Sequence, residues 1–450
     1  MTAPTDCRGL ALTTGLPGAA ALLDTAVHAV LTHRPDAMDR TRAALATDPG
    51  LVLGHALAGL LLRLLARGEL DPQSAAHLAA ARGGLAERGG TARERAAVAA
   101  LAAWEERGEM GEAATLLEDA TRAAPWDALS LKLAQSIRFM LGDVGGMGAA
   151  VARALPAWTP DMPGYGYILG CHAFALEETG DRSGAERAGR AAVEIAPDDL
   201  WASHAVAHVL EAEGRAREGI AWLGAAEGAL PGGAFARHLF WHRALFHLHL
   251  GEGEAALALY DMRVRDIPSE EYRDVANAAS LLWRLAAQGI AVGRRWEELA
   301  DIAERRIGDH RLAFADLHHV LSLAASGRHA ALRRFLAGMR ERALGGGDSQ
   351  ARVMARVGLP AARAVAASFG ATPASAGVLF APLRSRLAVI GGSHAQRDLF
   401  ERLAIAASLA EGNRAAARTL LSDRAGCRAP GAWEAALRCA AGLTTLPQAA

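Results

Sequence analysis

The chain has 450 residues, of which 51% are hydrophobic and only 5% aromatic, and its 48 basic residues nearly balance its 49 acidic ones. This balance argues against a nucleic-acid-binding protein, which normally carries a basic excess or stripe. The sequence has no uninterrupted apolar stretch long enough to span a bilayer, so we also expect no membrane interaction.

The four cysteines are widely separated or lie on Ala-rich segments, and no C-x-x-C pair occurs. This usage predicts reduced, mostly buried thiols and therefore a cytoplasmic protein. The cysteines are Cys7, Cys171, Cys427 and Cys439.

Helix-forming and helix-breaking residues divide the chain into five predicted segments. A first helix pair begins near Ala19, and Thr91 followed by Glu94 predicts a capping box at the start of a later helix. The segments are a poorly ordered leader (1–16), N-terminal helical repeats (17–265), middle repeats (266–347), C-terminal repeats that close the structure (348–443, with a linker at 371–377) and a tail (444–450).

A pattern of glycine, small residues and proline recurs in the N-terminal half. Its copies are Gly108, Ala113, Ala120 and Pro125; Gly180, Ala185, Ala192 and Pro197; and Gly214, Gly219, Ala226 and Pro231. Gly180 and Gly214 are 34 residues apart, which is the period of the tetratricopeptide repeat, a unit of two antiparallel helices. The sequence therefore predicts an all-α, tetratricopeptide-like right-handed superhelix, an α-solenoid of stacked helix pairs.

Several strings go beyond a generic repeat. In chain order they include WTPDMPGYG at 158–166, SHAVAHVLE at 203–211, HLFWHRAL at 238–245, LLWRL at 281–285 and IGGSHAQRDLF at 390–400. In these strings the chain resembles the tetratricopeptide repeat protein 38 family over residues 20–440. The resemblance implies an all-helical fold built from repeats, and it transfers no catalytic residue.

The sharpest local prediction concerns one repeat helix. Placing Gly214 at the turn of the repeat puts four side chains on the concave face of the preceding helix: Trp201, His204, His208 and Glu211. His204 and His208 are one turn apart, so their imidazoles can share one metal ion. The alternative is that these histidines tie successive repeats together by buried hydrogen bonds.

Other residues can complete a pocket around this helix face. The candidates are His238, Trp241 and His242, followed by His310, Asp316 and His318 on a later helix. Aromatic walls with a few charged groups suit a small anionic or peptide-like ligand, and histidine can also serve acid–base chemistry.

A Gly-Gly turn leads into a helix near the C-terminal end. Ser393 is the predicted N-cap, and the turn's backbone N–H groups with His394 and Arg397 can hold an anion. The alternative is a capped helix that only braces its neighbour. No phosphate-loop lysine is present, so a nucleotide site is not indicated.

The sequence therefore favours a binding protein whose concave surface or pocket holds a small molecule or a short peptide. An enzyme is the alternative, using His204, His208, Glu211 and His318 in metal-assisted or acid–base catalysis. A protein–protein scaffold is the third hypothesis. No cofactor is expected, except for a divalent metal under the enzyme hypothesis.

Overall fold

The computed structural model describes residues 4–370 and 376–443. Regular structure in these residues is helical, apart from one isolated β-bridge between Thr5 and Ala11. The prediction of an all-α protein is confirmed. None of the helices in the described ranges is long and apolar enough to cross a lipid bilayer.

The α-helices are α1 (Pro17–Leu31), α2 (Ala37–Thr47), α3 (Val52–Leu64), α4 (Asp71–Arg88), α5 (Ala92–Arg107), α6 (Met110–Ala123), α7 (Ala128–Met140), α8 (Val144–Ala154), α9 (Tyr165–Thr179), α10 (Arg182–Ile195), α11 (Leu200–Ala212), α12 (Ala216–Ala226), α13 (Gly233–His249), α14 (Gly253–Leu259), α15 (Tyr272–Ala287), α16 (Arg295–Arg305), α17 (Ala313–Ala325), α18 (His329–Gly345), α19 (Ser349–Val353), α20 (Leu359–Ala367), α21 (Ala376–Phe380), α22 (His394–Ala410), α23 (Arg414–Cys427) and α24 (Ala432–Ala440). Short 3-10 segments lie at Gly68–Leu70, Leu155–Ala157, Glu227–Ala229 and Ala381–Ile390, and π-helical turns at Tyr260–Val264 and Met354–Gly358.

Two compact units make up the chain. The first contains residues up to Val206 together with Ala229–Phe235. In this unit α1 packs on α2, α3 on α4, α5 on α6 and α9 on α10, so consecutive helices form pairs. Fully buried leucine and phenylalanine side chains such as Leu57, Leu101 and Phe174 fill its core.

The second unit contains Ala207–Gly228 and the chain from Ala236 onward. Here α16 packs on α17, α17 on α20 and α22 on α23, while α15 contacts both α17 and α22. The contact of α15 with α22 brings polar residues from distant parts of the sequence together.

The repeat glycines sit where the first helix of a pair ends. Gly108 has a φ of +65° and Gly180 a φ of +96°, and both are the C-terminal caps of their helices. Glycine is favoured there because a left-handed backbone is strained for residues with a Cβ. The capping box predicted at Thr91 is also present, with Glu94 bonded to Thr91 in both directions.

The N-terminal segment is tied to the first unit by buried polar contacts. Asp6 forms an ion pair with Arg93 at 2.7 Å, and the Thr14 hydroxyl donates to Asp48 at 2.6 Å. Little order was expected for residues 1–16, and these long-range partners explain the difference for residues 4–16. Residues 1–3, the 371–375 part of the predicted linker and the predicted tail lie outside the described residues.

The cysteines differ from the expectation of mostly buried thiols. Cys171 is buried, but Cys7, Cys427 and Cys439 are exposed. In the part of the chain that the structure describes, none of the four is joined in a disulfide bond.

Candidate functional site

Three buried histidines from two helices come together in the second unit. His208 lies on α11, and His238 and His242 lie one turn apart on α13. The ring of His242 is 4.6 Å from that of His208 and 4.8 Å from that of His238, measured between centroids. One ring nitrogen of each of the three lies within 4.8 Å of the others. We refer to these three residues as the histidine cluster.

Two members of the histidine cluster are held by neighbouring acceptors. His242 Nδ1 donates to Glu211 Oε2 at 3.0 Å, and His238 Nδ1 lies 3.0 Å from Asn277 Oδ1. A carboxylate can only accept, so His242 carries its proton on Nδ1. The contact of His238 with the amide oxygen is consistent with the same tautomer, which makes Nε2 the basic nitrogen in both rings.

Burial sets the charge of this cluster. Loss of solvation lowers the pKa of His242 to about 4, and loss of solvation together with His242 holds the pKa of His238 well below its usual range. Burial alone raises the pKa of Glu211, but Arg428 and His242 more than offset it, and this pKa lies well below its usual value. At neutral pH His238 and His242 are therefore neutral imidazoles, and the neighbouring Glu211 is a carboxylate.

Glu211 connects the histidine cluster to α22 and to the end of α23. Arg428 Nη2 donates to Glu211 Oε1 at 3.0 Å and lies 3.2 Å from His394 Nδ1. His394 Nε2 is in turn 3.4 Å from His208 Nδ1. A continuous polar network thus runs from the histidines to the C-terminal helices of the second unit.

An arginine-rich cavity adjoins this network. Its volume is about 30 Å³, which is room for a group the size of one or two water molecules. Its charged lining consists of four arginines and three carboxylates: Arg284, Arg402, Arg424, Arg428, Glu211, Asp398 and Glu434. Trp433 forms an apolar wall, and the Arg402 guanidinium lies 4.5 Å from the centre of that ring. We call this the arginine cavity.

Three of the arginines are paired closely with the carboxylates. Arg402 contacts Asp398 at 2.7 Å and Glu434 at 2.8 Å, and Arg424 contacts Glu434 at 2.9 Å. Glu401 also approaches Arg424, at 3.3 Å, from a partly exposed position outside the cavity lining. Such pairing explains how these charges tolerate burial.

Arg284 is held differently. Its Nη2 donates to the Ala395 carbonyl at 3.2 Å, and its nearest carboxylate oxygen, on Asp398, is 3.6 Å away. Burial and the neighbouring Arg402 lower the pKa of Arg284 well below its usual range. Arginine nevertheless stays protonated in proteins, so the buried guanidinium carries an electrostatic cost. A negative charge placed beside it would reduce that cost.

The helix face predicted around His204 is buried rather than open. Trp201 is 8% exposed, and His204 and His208 are 1% and 0% exposed. In the first unit, the rings of Trp201 and His204 lie 4.4 Å and 5.4 Å from Phe174. His204 remains one turn before His208 on α11, as the spacing predicted.

The later candidates make their contacts elsewhere in the second unit. His310 pairs with Asp316 at 3.1 Å and packs against Phe335. His318 bonds through Nδ1 to the Phe314 carbonyl of its own helix at 2.8 Å. None of these histidines belongs to the histidine cluster. Their contacts are those of buried side chains that satisfy local polar groups.

At the Gly-Gly turn, the structure shows the capped helix. Ser393 and Gln396 form a capping box, in which the Ser393 N–H donates to the Gln396 side chain at 3.0 Å. Arg397 bonds to the Gly392 carbonyl. These bonds occupy the Ser393 N–H and the Arg397 side chain, which an anion at this turn would need. His394 instead contacts Arg428.

Several site residues were not singled out from the sequence. They are Asn277, Arg284, Asp398, Arg402, Arg424, Arg428 and Glu434. One usable signal was present in the sequence, because Arg284 interrupts the otherwise apolar string LLWRL. In the structure all five residues of this string are buried. The remaining residues carry no local signal.

No protein-family model matches the chain.

Proposed function

We propose that the protein is a binding protein that holds the anionic group of a small molecule, such as a carboxylate, in the arginine cavity. The observation that carries this proposal is the set of four arginines around a buried space of about 30 Å³. Guanidinium groups match carboxylate and phosphate oxygens in charge and in geometry. For the architecture we propose a tetratricopeptide-like superhelix, in line with the resemblance to the tetratricopeptide repeat protein 38 family.

The charge of the lining supports an anionic ligand. Four arginines and three carboxylates line the cavity, and the partly exposed Glu401 adds a fourth carboxylate beside Arg424. Arg284 has the weakest carboxylate contact of the four, at 3.6 Å from Asp398. An anionic group beside Arg284 would reduce the repulsion among the arginines and would be favoured by the low dielectric of the site.

The size of the cavity argues against a peptide lying in an open groove. A volume of about 30 Å³ accommodates one functional group rather than several residues. A protein–protein scaffold would present its recognition residues on the surface, whereas Arg428 and Trp433 have side chains that are almost entirely buried. Recognition of a single small anionic group fits both observations.

Thermal unfolding of the full chain with acetate, inorganic phosphate and sulfate, matched in ionic strength with chloride, tests the proposal. A ligand that binds only the folded state raises the midpoint, by an amount equivalent to about 2.7 kcal/mol at a hundred times its Kd. We expect at least one anion to raise the midpoint beyond chloride. If none does, the proposal is wrong.

A pair of variants locates the effect. Arg428→Gln should abolish the anion-dependent rise, because it removes one cavity guanidinium. Arg305→Gln is the matched control, since Arg305 belongs to the same unit but its side chain is 56% exposed and pairs with Glu270. An equal rise in both variants would place the bound anion outside the arginine cavity and overturn the assignment.

A further inference from the structure

The histidine cluster offers a ligand chemistry different from that of the arginine cavity. We propose that His208, His238 and His242 form a binding site for a divalent transition-metal ion, with zinc as the reference ion. All three side chains are buried, and one nitrogen of each lies within 4.8 Å of the others. The proposal does not rest on anion binding, because its ligands are imidazoles that do not line the arginine cavity.

The distances fit a site that closes around an ion. Zn–N bonds of about 2.0 Å hold tetrahedral ligand nitrogens roughly 3.3 Å apart. Ligand atoms no more than 4.8 Å apart reach that separation through small rotations of the rings. The two α13 ligands are one turn apart, a spacing at which two imidazoles share one ion.

The second layer of the site is the stronger argument. A histidine that binds a metal through one nitrogen usually donates its other N–H to a carboxylate or carbonyl oxygen. Here Glu211 accepts from His242 Nδ1, and Asn277 Oδ1 lies at hydrogen-bond distance from His238 Nδ1. Both contacts fix the ring orientation and direct Nε2 as the coordinating atom. A purely structural pair of histidines would not require both rings to be held through the same nitrogen.

The ligand chemistry selects the class of metal. Neutral imidazoles suit Zn²⁺, Cu²⁺, Ni²⁺ and Fe²⁺, whereas Mg²⁺ and Ca²⁺ prefer oxygen ligands. Glu211 would then couple the two sites, because the same carboxylate contacts His242 and Arg428.

Cobalt(II) provides a direct probe, since tetrahedral Co²⁺ with nitrogen ligands absorbs in the visible range. The full chain, purified without a polyhistidine tag and treated with a chelator, is titrated with Co²⁺ and then with Zn²⁺ as competitor. We expect one equivalent of Co²⁺ to bind and zinc to displace it. A folded chain that binds no stoichiometric Co²⁺ or Zn²⁺ would overturn the proposal.

Three variants assign the ligands. His242→Gln should lose at least 10-fold in affinity, and Asn277→Ala should lose 10- to 100-fold although it leaves all three ligands in place. His247→Gln is the control, because His247 lies on the same helix but pairs with the partly exposed Glu252 at 2.7 Å. Circular dichroism checks that each variant is folded.

The outcomes separate this inference from the anion proposal. If His242→Gln does not fold, Asn277→Ala still tests the site. Unchanged metal affinity in Asn277→Ala would overturn the argument that the contact of Asn277 with His238 Nδ1 orients this ring for metal binding. Metal binding without any anion effect would support this site and refute the arginine cavity as a ligand site. An anion effect without metal binding would support the arginine cavity as a ligand site and overturn the metal site.

Discussion

Glu211 Oε2 accepts a hydrogen bond from His242 Nδ1 at 3.0 Å, while its other oxygen accepts one from Arg428 at the same distance. One carboxylate therefore serves two neighbours of opposite character, a neutral imidazole and a guanidinium. The side chain of Glu211 is 11% exposed and that of Arg428 is 9% exposed. If one partner were removed, water could therefore replace little of the lost hydrogen bonding of the other. This sharing makes Glu211 the residue whose removal should have the widest effect.

Glu211→Gln is expected to lower the free energy of unfolding by about 3 kcal/mol, because it leaves the buried Arg428 without its carboxylate. Urea denaturation measures the loss, and a cycle with Arg428→Met should give a coupling energy of about 1–3 kcal/mol. Glu252→Gln breaks a partly exposed His–Glu pair in the same unit and should cost no more than about 0.5 kcal/mol. Equal losses in the two glutamate variants would contradict the prediction.

Gly219 and Gly224 lie on the same helix, α12, but in different surroundings. A Cβ at Gly219 would overlap the ring of Phe246, which is fully buried, whereas a Cβ at Gly224 meets open space. We expect Gly219→Ala to destabilise the protein by about 1–3 kcal/mol and Gly224→Ala to stabilise it by up to about 1 kcal/mol. Thermal and urea unfolding of the two variants test this contrast, and two changes of the same sign would refute it.

This contrast also shows why the glycine positions were informative in the sequence. Gly219 was singled out as the small residue of the repeat, and Gly214 as its turn residue, because each meets a local requirement: close packing or a left-handed backbone. Such requirements are local, so the all-α fold and these turns were predictable from one chain. The capping box at Thr91 was predictable for the same reason, since its partner Glu94 is three residues away.

The arginine cavity was not predictable, because its partners are far apart in sequence. Arg284 bonds to the carbonyl of Ala395, 111 residues later, and Arg428 bonds to Glu211, 217 residues earlier. No helical spacing encodes such contacts. The concave position predicted for His204 differs from its burial for a related reason. A helix face that one repeat alone would leave open can be covered by a later segment of the chain, and here the Phe235 ring of α13 packs against His204.

Asp6 anchors a segment for which the sequence predicted little order. Its carboxylate pairs with Arg93, and both side chains are less than 10% exposed. Asp6→Ala should therefore lower the free energy of unfolding by about 3 kcal/mol, and limited proteolysis should cut the N-terminal segment faster. Asp39→Ala is the control, since Asp39 is 75% exposed in its pair with Arg42 and should change stability by no more than about 0.5 kcal/mol. Unchanged proteolysis in Asp6→Ala would show that other contacts hold the segment.

Asp199 provides a pH-dependent prediction in the first unit. The carboxyl accepts hydrogen bonds from the Trp201 N–H at 2.9 Å and the Ala202 N–H at 3.2 Å, yet its residue is fully buried. Burial raises its pKa to about 7 from the ordinary 3.8, although Lys132 and the backbone N–H groups oppose the rise and Asp198 adds to it. The folded protein therefore holds this proton more tightly than the unfolded chain does.

Because the folded pKa is the higher one, the contribution of Asp199 to stability is greatest below pH 4 and is lost as the pH rises to about 7. At about 1.4 kcal/mol per pKa unit, the loss is up to roughly 4 kcal/mol. Asp199→Asn keeps an oxygen acceptor for the two backbone N–H groups but cannot ionise, so urea unfolding between pH 4 and 8 should show a flatter profile than the wild type. Asp39→Asn is the control, since Asp39 is 75% exposed, is not among the groups that shift the pKa of Asp199, and should leave the profile nearly unchanged. Identical profiles for the wild type and Asp199→Asn would mean that Asp199 is ionised in the folded protein at acidic pH, with Lys132 outweighing the effect of burial.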